Sequence, residues 1–218
     1  MKLTNTSKEK DFVKLSEEWF DHQAKVYDET DTILYSKYGK ISCQNIYDYL
    51  SDKKYENLLD VGCGTAYLIG LLSKTHDAKH IGLDLSSEMI RQARAKNIEG
   101  AKFVVGKSDE LPFVDNTFDV VTCSQSFHHY PDTDKAMQEV FRVLKPGGIY
   151  ILSDTGVGFF KMLGVIIDNF IYTHFSNTGD CNVSYLNKSI RDLKRNGFEI
   201  VNGENLTTFI YTVVAKKN

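Results

Sequence analysis

The sequence lacks the charge excess that marks nucleic-acid-binding proteins. Its 26 lysine and arginine residues against 29 aspartate and glutamate residues give a formal net charge of -3. Surfaces that bind DNA or RNA carry a basic excess that neutralises phosphates, so neither is expected as a partner. A small molecule is the expected partner.

Cysteine is also scarce, and the positions of the cysteines argue against disulfide bonds and against a zinc site. The chain has four cysteines, at positions 43, 63, 123 and 181, and none of them lies at the paired spacing of metal ligands. Such spacing is the sequence signature of zinc sites, and thiols inside a cell normally stay reduced. We therefore predict four free thiols and no metal site.

Long apolar runs are absent as well. The first residues, MKLTNTSKEKDF, have lysines but no apolar segment behind them, so we expect no secretory signal peptide. The longest apolar stretch, residues 157–172, is too short to span a bilayer and contains Lys161 and Asp168. We expect a cytoplasmic protein without a membrane span, and no internal repeat or low-complexity tract is found.

What the sequence does contain is enough apolar surface for a core, and an alternation of strand and helix patterns. Hydrophobic residues make up 42% of the 218 residues and aromatic residues 12%, which suits one globular domain. Strands are predicted at residues 57–61, 80–84, 102–105, 118–123 and 149–153. Helices are predicted between them at 66–73, 88–96 and 133–144, the last ended by Pro146-Gly147-Gly148. This alternation is typical of an α/β fold, a doubly wound and mostly parallel sheet.

Further elements are expected at both ends. Helices are predicted over 12–27 and through 41–50, and a helix over 185–195 ends at Asn196-Gly197. Two last strands, 198–201 and 207–214, are joined by a connection too short for a crossover helix, which predicts one antiparallel strand near the C-terminus. We divide the single domain 1–218 into an N-terminal helical extension (1–54), a cofactor-binding core (55–155), a cap insertion (156–183) and a C-terminal helix with a β-hairpin (184–218).

The stretch LLDVGCGTAYLIGLL, residues 58–72, marks the candidate site. Gly62 and Gly64 permit positive φ at the first strand-to-helix turn, where free backbone N–H groups are expected to face a ligand. Asp84, twenty positions after Gly64, suits a ribose diol. Tyr67 replaces the third glycine of the dinucleotide pattern. Asp60 would repel a pyrophosphate but attract a cation, by roughly 4 kcal/mol at 4 Å.

With these residues the sequence resembles the class I S-adenosylmethionine-dependent methyltransferases, in particular the bacterial group that includes the ubiquinone/menaquinone C-methyltransferases. Five blocks in order carry the resemblance: LLDVGCGTA (58–66), GLDLSSEMI (82–90), GKSDELPFVDNTFDVV (106–121), CSQSFHHYPD (123–132) and LKPGGIYILSD (144–154). The resemblance implies a Rossmann-like fold, S-adenosylmethionine as cofactor, and methyl transfer to a small molecule.

The resemblance also implies roles for individual residues. Asp60, Gly62 and Gly64 would surround the methionine part, Asp84 would bind the ribose, and Leu85 and Met89 would flank the adenine. Cys63, between the two glycines, is also expected to bind the cofactor. Family members often have Asp-Ala where this chain has Lys107-Ser108; Lys107 has no acceptor for the adenine amino group, so Ser108 or Asp109 would take that contact. Cys123, Ser124 and Gln125 would line the cofactor. Tyr27 would close over it, although a plain core aromatic fits the same position.

The methyl acceptor is expected near SQSFHHYPD, where His128 and His129 are the candidate general bases; packing or hydrogen bonding explains them equally simply. The aromatic insertion at 157–175 would cover an apolar or aromatic acceptor, or form the interface of a homodimer. Two other functions stay open at this point: a nicotinamide-dependent oxidoreductase, and a non-catalytic protein that binds S-adenosylmethionine.

Overall fold

The computed structural model describes residues 11–28, 35–156 and 178–218. The helices, numbered along this part of the chain, are α1 (Phe12–Gln23), α2 (Tyr35–Leu50), α3 (Tyr67–Leu72), α4 (Ser87–Ala95), α5 (Thr133–Val143) and α6 (Leu186–Arg195). The strands are β1 (Asn57–Val61), β2 (Lys79–Asp84), β3 (Ala101–Val105), β4 (Phe118–Ser124), β5 (Leu144–Thr155), β6 (Phe198–Asn205) and β7 (Ile210–Lys217). Residues 157–177, the greater part of the predicted cap, lie outside the described residues.

The seven strands form one sheet in the order β3-β2-β1-β4-β5-β7-β6. The first five are parallel neighbours, and β7 runs antiparallel to both β5 and β6. The chain starts at the middle of the sheet, winds outward to β3, and then returns to build the other half from β4. This confirms the predicted fold, a doubly wound α/β sheet with one antiparallel strand near the C-terminus.

Consecutive residues of the central strands point to opposite faces, and both faces are covered by helices. Leu58 belongs to a core cluster with Ile46 and Leu50 of α2 and with Leu68 and Leu72 of α3. Leu59, the next residue, lies in the cluster on the other face, which contains residues of α5 and α6. Burial on both faces explains why the central strands are continuous apolar runs and not alternating ones.

The helix predicted over 133–144 ends one residue early, and Pro146-Gly147-Gly148 lies in a strand and not in a separate turn before it. The helix ends at Val143, and Leu144 already has extended backbone angles, φ -69° and ψ 140°. Lys145 precedes a proline and so disfavours helical angles. The segment from Leu144 pairs with Phe118 of β4, and the register then shifts before Val120 pairs with Ile149. The proline and glycines therefore lie in the first part of β5.

The predicted connection at residues 202–206 is also misplaced. β6 continues through Asn205, with a register shift between Ile200 and Asn202, and the turn to β7 follows it. β6 is the edge strand of the sheet, so its polar side chains face solvent while its backbone still pairs with β7. Within the described ranges, no helix is long and apolar enough to cross a membrane.

Candidate functional site

A cavity of about 960 Å³, counted with its open mouth, lies beyond the carboxyl ends of the central strands. The strand order reverses there between β1 and β4, which is where doubly wound sheets bind their ligands. Twelve residues singled out from the sequence line the cavity: Tyr27, Gly62, Gly64, Asp84, Leu85, Met89, Lys107, Ser108, Asp109, Ser124, Gln125 and His129. Four others, Asp60, Cys63, Cys123 and His128, do not line it.

The glycine turn after β1 is held by hydrogen bonds to the end of β2. The N–H groups of Gly62 and Cys63 donate to the Leu83 carbonyl at 2.7 and 3.0 Å. The N–H of Gly64 donates to Oδ2 of Asp84 at 2.8 Å. The expectation of free backbone N–H groups at this turn is therefore wrong for these three residues, since each already has an acceptor inside the protein. Gly62, Cys63 and Gly64 therefore offer no free N–H group to a phosphate.

Asp84 ends β2 and connects the turn to the next helix. Its Oδ2 accepts from Gly64, and its Oδ1 accepts from the N–H of Ser86 at 2.9 Å. Burial raises the pKa of this carboxyl, and the charge of Asp21 adds to the rise, against the backbone N–H groups of Ser86, Gly64 and Leu85, which lower it. A carboxylate oxygen can accept two hydrogen bonds. The carboxylate of Asp84 can therefore still accept a hydroxyl of a ligand in the cavity.

The charged groups around the cavity are mainly acidic. Among the described lining residues, Asp84, Asp109 and Asp132 contribute carboxylates, and Lys107 contributes one ammonium group. A cleft lined mainly by one sign of charge concentrates ligands of the opposite sign. The cavity therefore favours a cationic ligand over a pyrophosphate.

Asp60 lies beneath the cavity and not on its wall. It is 2% exposed and pairs in register with Thr122 of β4, whose hydroxyl donates to Asp60 Oδ1 at 2.7 Å. Burial raises the pKa of Asp60 to about 7, the hydrogen bond from Thr122 lowers it, and the charge of Asp84 adds to the rise. The carboxyl group thus holds its proton more strongly than an ordinary aspartate.

The two cysteines predicted at the site point into the core. Cys63 packs in a cluster with Ala66 and Phe103, and burial raises its thiol pKa well above the ordinary value. Cys123 is fully buried, and its Sγ lies 3.2 Å from the hydroxyl oxygen of Ser126. Burial raises the pKa of Cys123 to about 12. Neither thiol is placed to contact a ligand in the cavity.

His128 and His129 follow β4 in a single turn of 3-10 helix, but they have different surroundings. His129 lines the cavity, whereas the His128 ring is directed to two buried carboxylates. Its Nδ1 donates to Oδ1 of Asp154 at 2.7 Å, and its Nε2 lies 3.4 Å from Oδ1 of Asp180. Burial alone lowers the pKa of His128, but Asp154 and Asp180 outweigh it and the net pKa is raised. Burial and the charge of His128 lower the pKa of His129 to about 3, against the opposing charge of Asp180.

The N-terminal helix α1 closes one side of the cavity. The ring of Phe20 meets that of His129 edge to face, with centroids 5.0 Å apart. Asp21 accepts hydrogen bonds from the Ser86 hydroxyl at 2.5 Å and the Glu88 N–H at 3.1 Å, which ties α1 to the start of α4. After the helix, Tyr27 lies on the cavity wall. The N-terminal helical extension is thus part of the site.

The sequence analysis missed lining residues on α1, after β4, and at the ends of β1 and β2, where Val61 and Leu83 line the cavity. Those on α1 are Val13, Ser16 and Phe20; those after β4 are Ser126, Tyr130, Pro131 and Asp132. The second group lies inside the block CSQSFHHYPD, which the resemblance had already marked as part of the site. Roles had been given only to other residues of that block. The amphipathic pattern of α1 showed a buried face but not what that face covers.

Comparison with known proteins agrees with this geometry. Residues 59–152 match a family described as a methyltransferase domain. This segment is a methyltransferase domain. A fatty-acid O-methyltransferase of Mycolicibacterium smegmatis is 41% identical over 106 residues, which cover 48% of this chain and 39% of the relative. A demethylmenaquinone methyltransferase of Staphylococcus carnosus is 35% identical over 133 residues, covering 59% of this chain and 55% of the relative.

The fold extends beyond the methyltransferase domain match. A solved structure of a SAM-dependent methyltransferase from Aquifex aeolicus superposes with a TM-score of 0.69 at 19% identity, over 89% of this chain and 98% of that one. The chain spans about half the length of the curated relatives, or less. The resemblance to class I methyltransferases is confirmed for residues 59–152 by the family match and for the wider chain by the fold.

Proposed function

We propose that the chain is an S-adenosylmethionine-dependent methyltransferase that acts on a small apolar or aromatic acceptor. The observation that carries the proposal is the glycine turn itself, whose N–H groups are taken by Leu83 and by the cavity-lining carboxylate of Asp84. Such a turn suits a ligand with a ribose and a positive charge and no phosphate. S-adenosylmethionine is such a molecule, and when bound it supplies the methyl group as a sulfonium.

The same geometry argues against nicotinamide-dependent oxidoreduction. A dinucleotide places its pyrophosphate on free N–H groups of the glycine turn. Here Gly62, Cys63 and Gly64 have no N–H to offer, and the cavity is mainly acidic. We therefore do not favour that alternative.

In the proposed mechanism the chain binds and orients its ligands and excludes water. Asp84 holds ribose hydroxyls, Leu85 and Met89 contact the adenine, and α1 with Tyr27 covers the cavity. Methyl transfer from a sulfonium releases a neutral group, so alignment and the removal of water provide most of the catalysis. We assign the acceptor to the part of the cavity between α1 and His129, where Val13 and Phe20 give an apolar wall. The names of both relatives, a fatty-acid and a demethylmenaquinone methyltransferase, support an apolar acceptor.

The role of His128 and His129 as general bases stays a prediction. A base must reach the proton that it removes, and only His129 lines the cavity. A pKa of about 3 makes His129 a weak base at neutral pH. The proposed mechanism therefore relies on alignment and not on proton transfer to either histidine.

Isothermal titration calorimetry with S-adenosylhomocysteine, the demethylated product, tests the proposal. Wild type should bind it with micromolar affinity or better, and Asp84→Asn should weaken binding at least about tenfold, because the charge-assisted hydrogen bonds are lost. Asp77→Asn, at an exposed aspartate outside the site, is the matched control and should bind as wild type does.

Two results would overturn the assignment. The first is absence of binding to the folded wild type together with a change in NADH fluorescence. The second is binding of the product without transfer of labelled methyl groups to any member of a panel of fatty acids, quinols and phenols. The second result would favour the non-catalytic binding protein.

A further inference from the structure

Two histidines and a carboxylate converge in the wall behind the cavity. One ligand atom each from His128, His129 and Asp180 lies within 4.8 Å of the other two. Oδ1 of Asp180 is 3.4 Å from Nε2 of His128 and 3.7 Å from Nε2 of His129. All three residues are buried, so water does not screen these groups.

The backbone fixes this convergence. His128 and His129 are adjacent in the 3-10 turn after β4, and their ring centroids are 4.2 Å apart. The N–H groups of Cys181 and Asn182 both donate to the His128 carbonyl, at 3.1 and 3.0 Å. The residue before them, Asp180, is thereby held against the two rings. A segment far along the chain is thus attached to the histidine turn by main-chain hydrogen bonds.

His128 is oriented in the way that metal-binding histidines are. Its Nδ1 donates to Asp154 Oδ1 at 2.7 Å, which leaves Nε2 as the nitrogen directed at Asp180. Histidines that ligate metals nearly always donate their other ring N–H to a carboxylate, a carbonyl or a water, and this contact fixes the tautomer. Asp154 is fully buried at the end of β5 and has that role here.

Two polar atoms of this cluster are buried without a hydrogen-bond partner in the described part of the chain. These are Nδ1 of His129 and Oδ2 of Asp154. Two buried carboxylates are costly to desolvate unless a protonated imidazole or a metal cation offsets their charge. A divalent cation would offset that charge.

We propose that His128, His129 and Asp180 bind one divalent transition-metal ion, with Asp154 positioning His128 behind it. Two imidazoles and one carboxylate form a donor set that suits zinc, cobalt and iron(II) and leaves coordination positions open. Zinc bonds of about 2.0 to 2.2 Å place tetrahedral ligand atoms roughly 3.4 Å apart. Oδ1 of Asp180 is already at this distance from Nε2 of His128, 3.4 Å, and its distance from Nε2 of His129, 3.7 Å, needs to shorten only slightly. The expectation of no metal site overlooked this group, because its members are not at any regular spacing in the sequence.

The metal site adjoins the proposed methyl-transfer cavity but does not depend on it. His129 belongs to both, since its ring lies on the cavity wall, whereas Asp180 lies behind it. The inference rests on metal binding alone and holds whatever the chain methylates. A nitrogen bound to a metal cannot accept a proton, so the site and a general-base role are alternatives for His129.

Cobalt(II) binding to the full chain without an affinity tag tests the proposal. The protein is freed of metal with a chelator and titrated with Co²⁺, which absorbs visible light in a way that depends on its ligands. We expect one equivalent to bind, with bands of a nitrogen- and oxygen-ligated ion and no thiolate charge-transfer band. Asp180→Asn and His128→Gln should each weaken binding at least tenfold. Asp154→Asn, which replaces the charged acceptor behind His128 with a neutral amide oxygen, should weaken it 10- to 100-fold.

Two control variants and a folding readout complete the experiment. His22→Gln removes an exposed histidine, and Cys181→Ser removes the thiol next to Asp180; both should bind Co²⁺ as wild type does. Circular dichroism without metal shows whether each variant folds. The wild-type titration needs no variant, so it can refute the proposal even if every variant unfolds. Absence of stoichiometric binding to wild type, a thiolate band, or unchanged affinity in folded Asp180→Asn would each overturn it.

Discussion

Replacing Asp60 with asparagine should stabilise the folded chain at neutral pH. Asp60 is buried and its hydrogen bond from Thr122 does not offset the loss of solvation, so its pKa rises from 3.8 to about 7. Asparagine has nearly the same shape, keeps an oxygen for the Thr122 hydroxyl, and carries no charge. The substitution therefore isolates the energetic cost of the carboxylate.

The size of the effect follows from the two pKa values. Because the folded chain retains the proton up to higher pH than the unfolded chain, stability is fully present below pH 3.8 and is lost as pH rises to about 7. Each unit of pKa difference corresponds to about 1.36 kcal/mol, so the loss reaches at most about 4 kcal/mol. The asparagine variant does not have this loss. It should match wild type near pH 4 and exceed it by up to about 4 kcal/mol at pH 8.

Urea unfolding of the cofactor-free proteins from pH 4 to pH 8 measures this difference. Asp119→Asn is a control of opposite sign. Burial raises the pKa of Asp119, but Lys145 at 2.7 Å and the backbone N–H groups of Glu56 and Asn57 outweigh it and lower the pKa. That variant should be less stable than wild type by a nearly constant amount from pH 5 to pH 8, and the deficit should shrink only as pH falls below about 4. A difference between Asp60→Asn and wild type that is constant with pH would refute the reasoning.

The same carboxylate should assist the cofactor, so the stabilised variant should bind S-adenosylhomocysteine more weakly. Functional sites commonly retain groups that cost stability. Calorimetry with S-adenosylhomocysteine on Asp60→Asn checks this expectation. If the variant binds as tightly as wild type does, Asp60 does not contribute to cofactor binding.

Three further predictions concern the scaffold. In Gly62→Ala, the new Cβ would collide with the Ser126 side chain at a backbone φ of +77°, so about 2 to 4 kcal/mol of stability should be lost, and an unchanged melting temperature would contradict this. His80 is 1% exposed and burial lowers its pKa to about 4, so wild type should lose up to about 3 kcal/mol relative to His80→Gln as pH falls from 6.5 to 4, measured by urea unfolding at each pH. If the two lose stability in parallel, His80 is not the cause. Ile46→Ala, in the core between α2 and the sheet, should cost about 2 to 5 kcal/mol in urea unfolding, whereas Val114→Ala at a 76% exposed position should cost almost nothing; equal costs would show that α2 is not docked as described.

The positions of most helices and strands could be predicted, because their signals are local. Strand β1 was predicted with its observed bounds, since a buried parallel strand is a continuous apolar run between polar residues. The bounds of β6 could not be predicted in this way. Its last residues are polar, and they form a strand only because they pair with β7 at the sheet edge. That pairing depends on contact between two segments, so neither segment's sequence predicts it alone.

In the candidate site, too, the residues with a local sequence signal were predictable and the directions of side chains were not. Gly62, Gly64 and Asp84 were identified because a strand-to-helix turn needs glycine and because the end of the second strand lies beside it. Whether a side chain near that turn reaches the cavity was not predictable. Cys63 and Cys123 both point into the core, since the direction of a side chain depends on how its segment packs.

The sequence by itself determined a doubly wound α/β sheet, and its glycine turn with an acidic residue predicted a site for a cationic, phosphate-free cofactor. Hydrophobic periodicity and turn-forming residues depend only on neighbouring positions in the chain, so they can be recognised without a structure. Only the tertiary structure decided that the turn's N–H groups are already bonded, that Asp60 lies under the cavity, and that Asp154 and Asp180 meet His128. Those relations join distant segments through sheet pairing and main-chain hydrogen bonds, which no local pattern specifies.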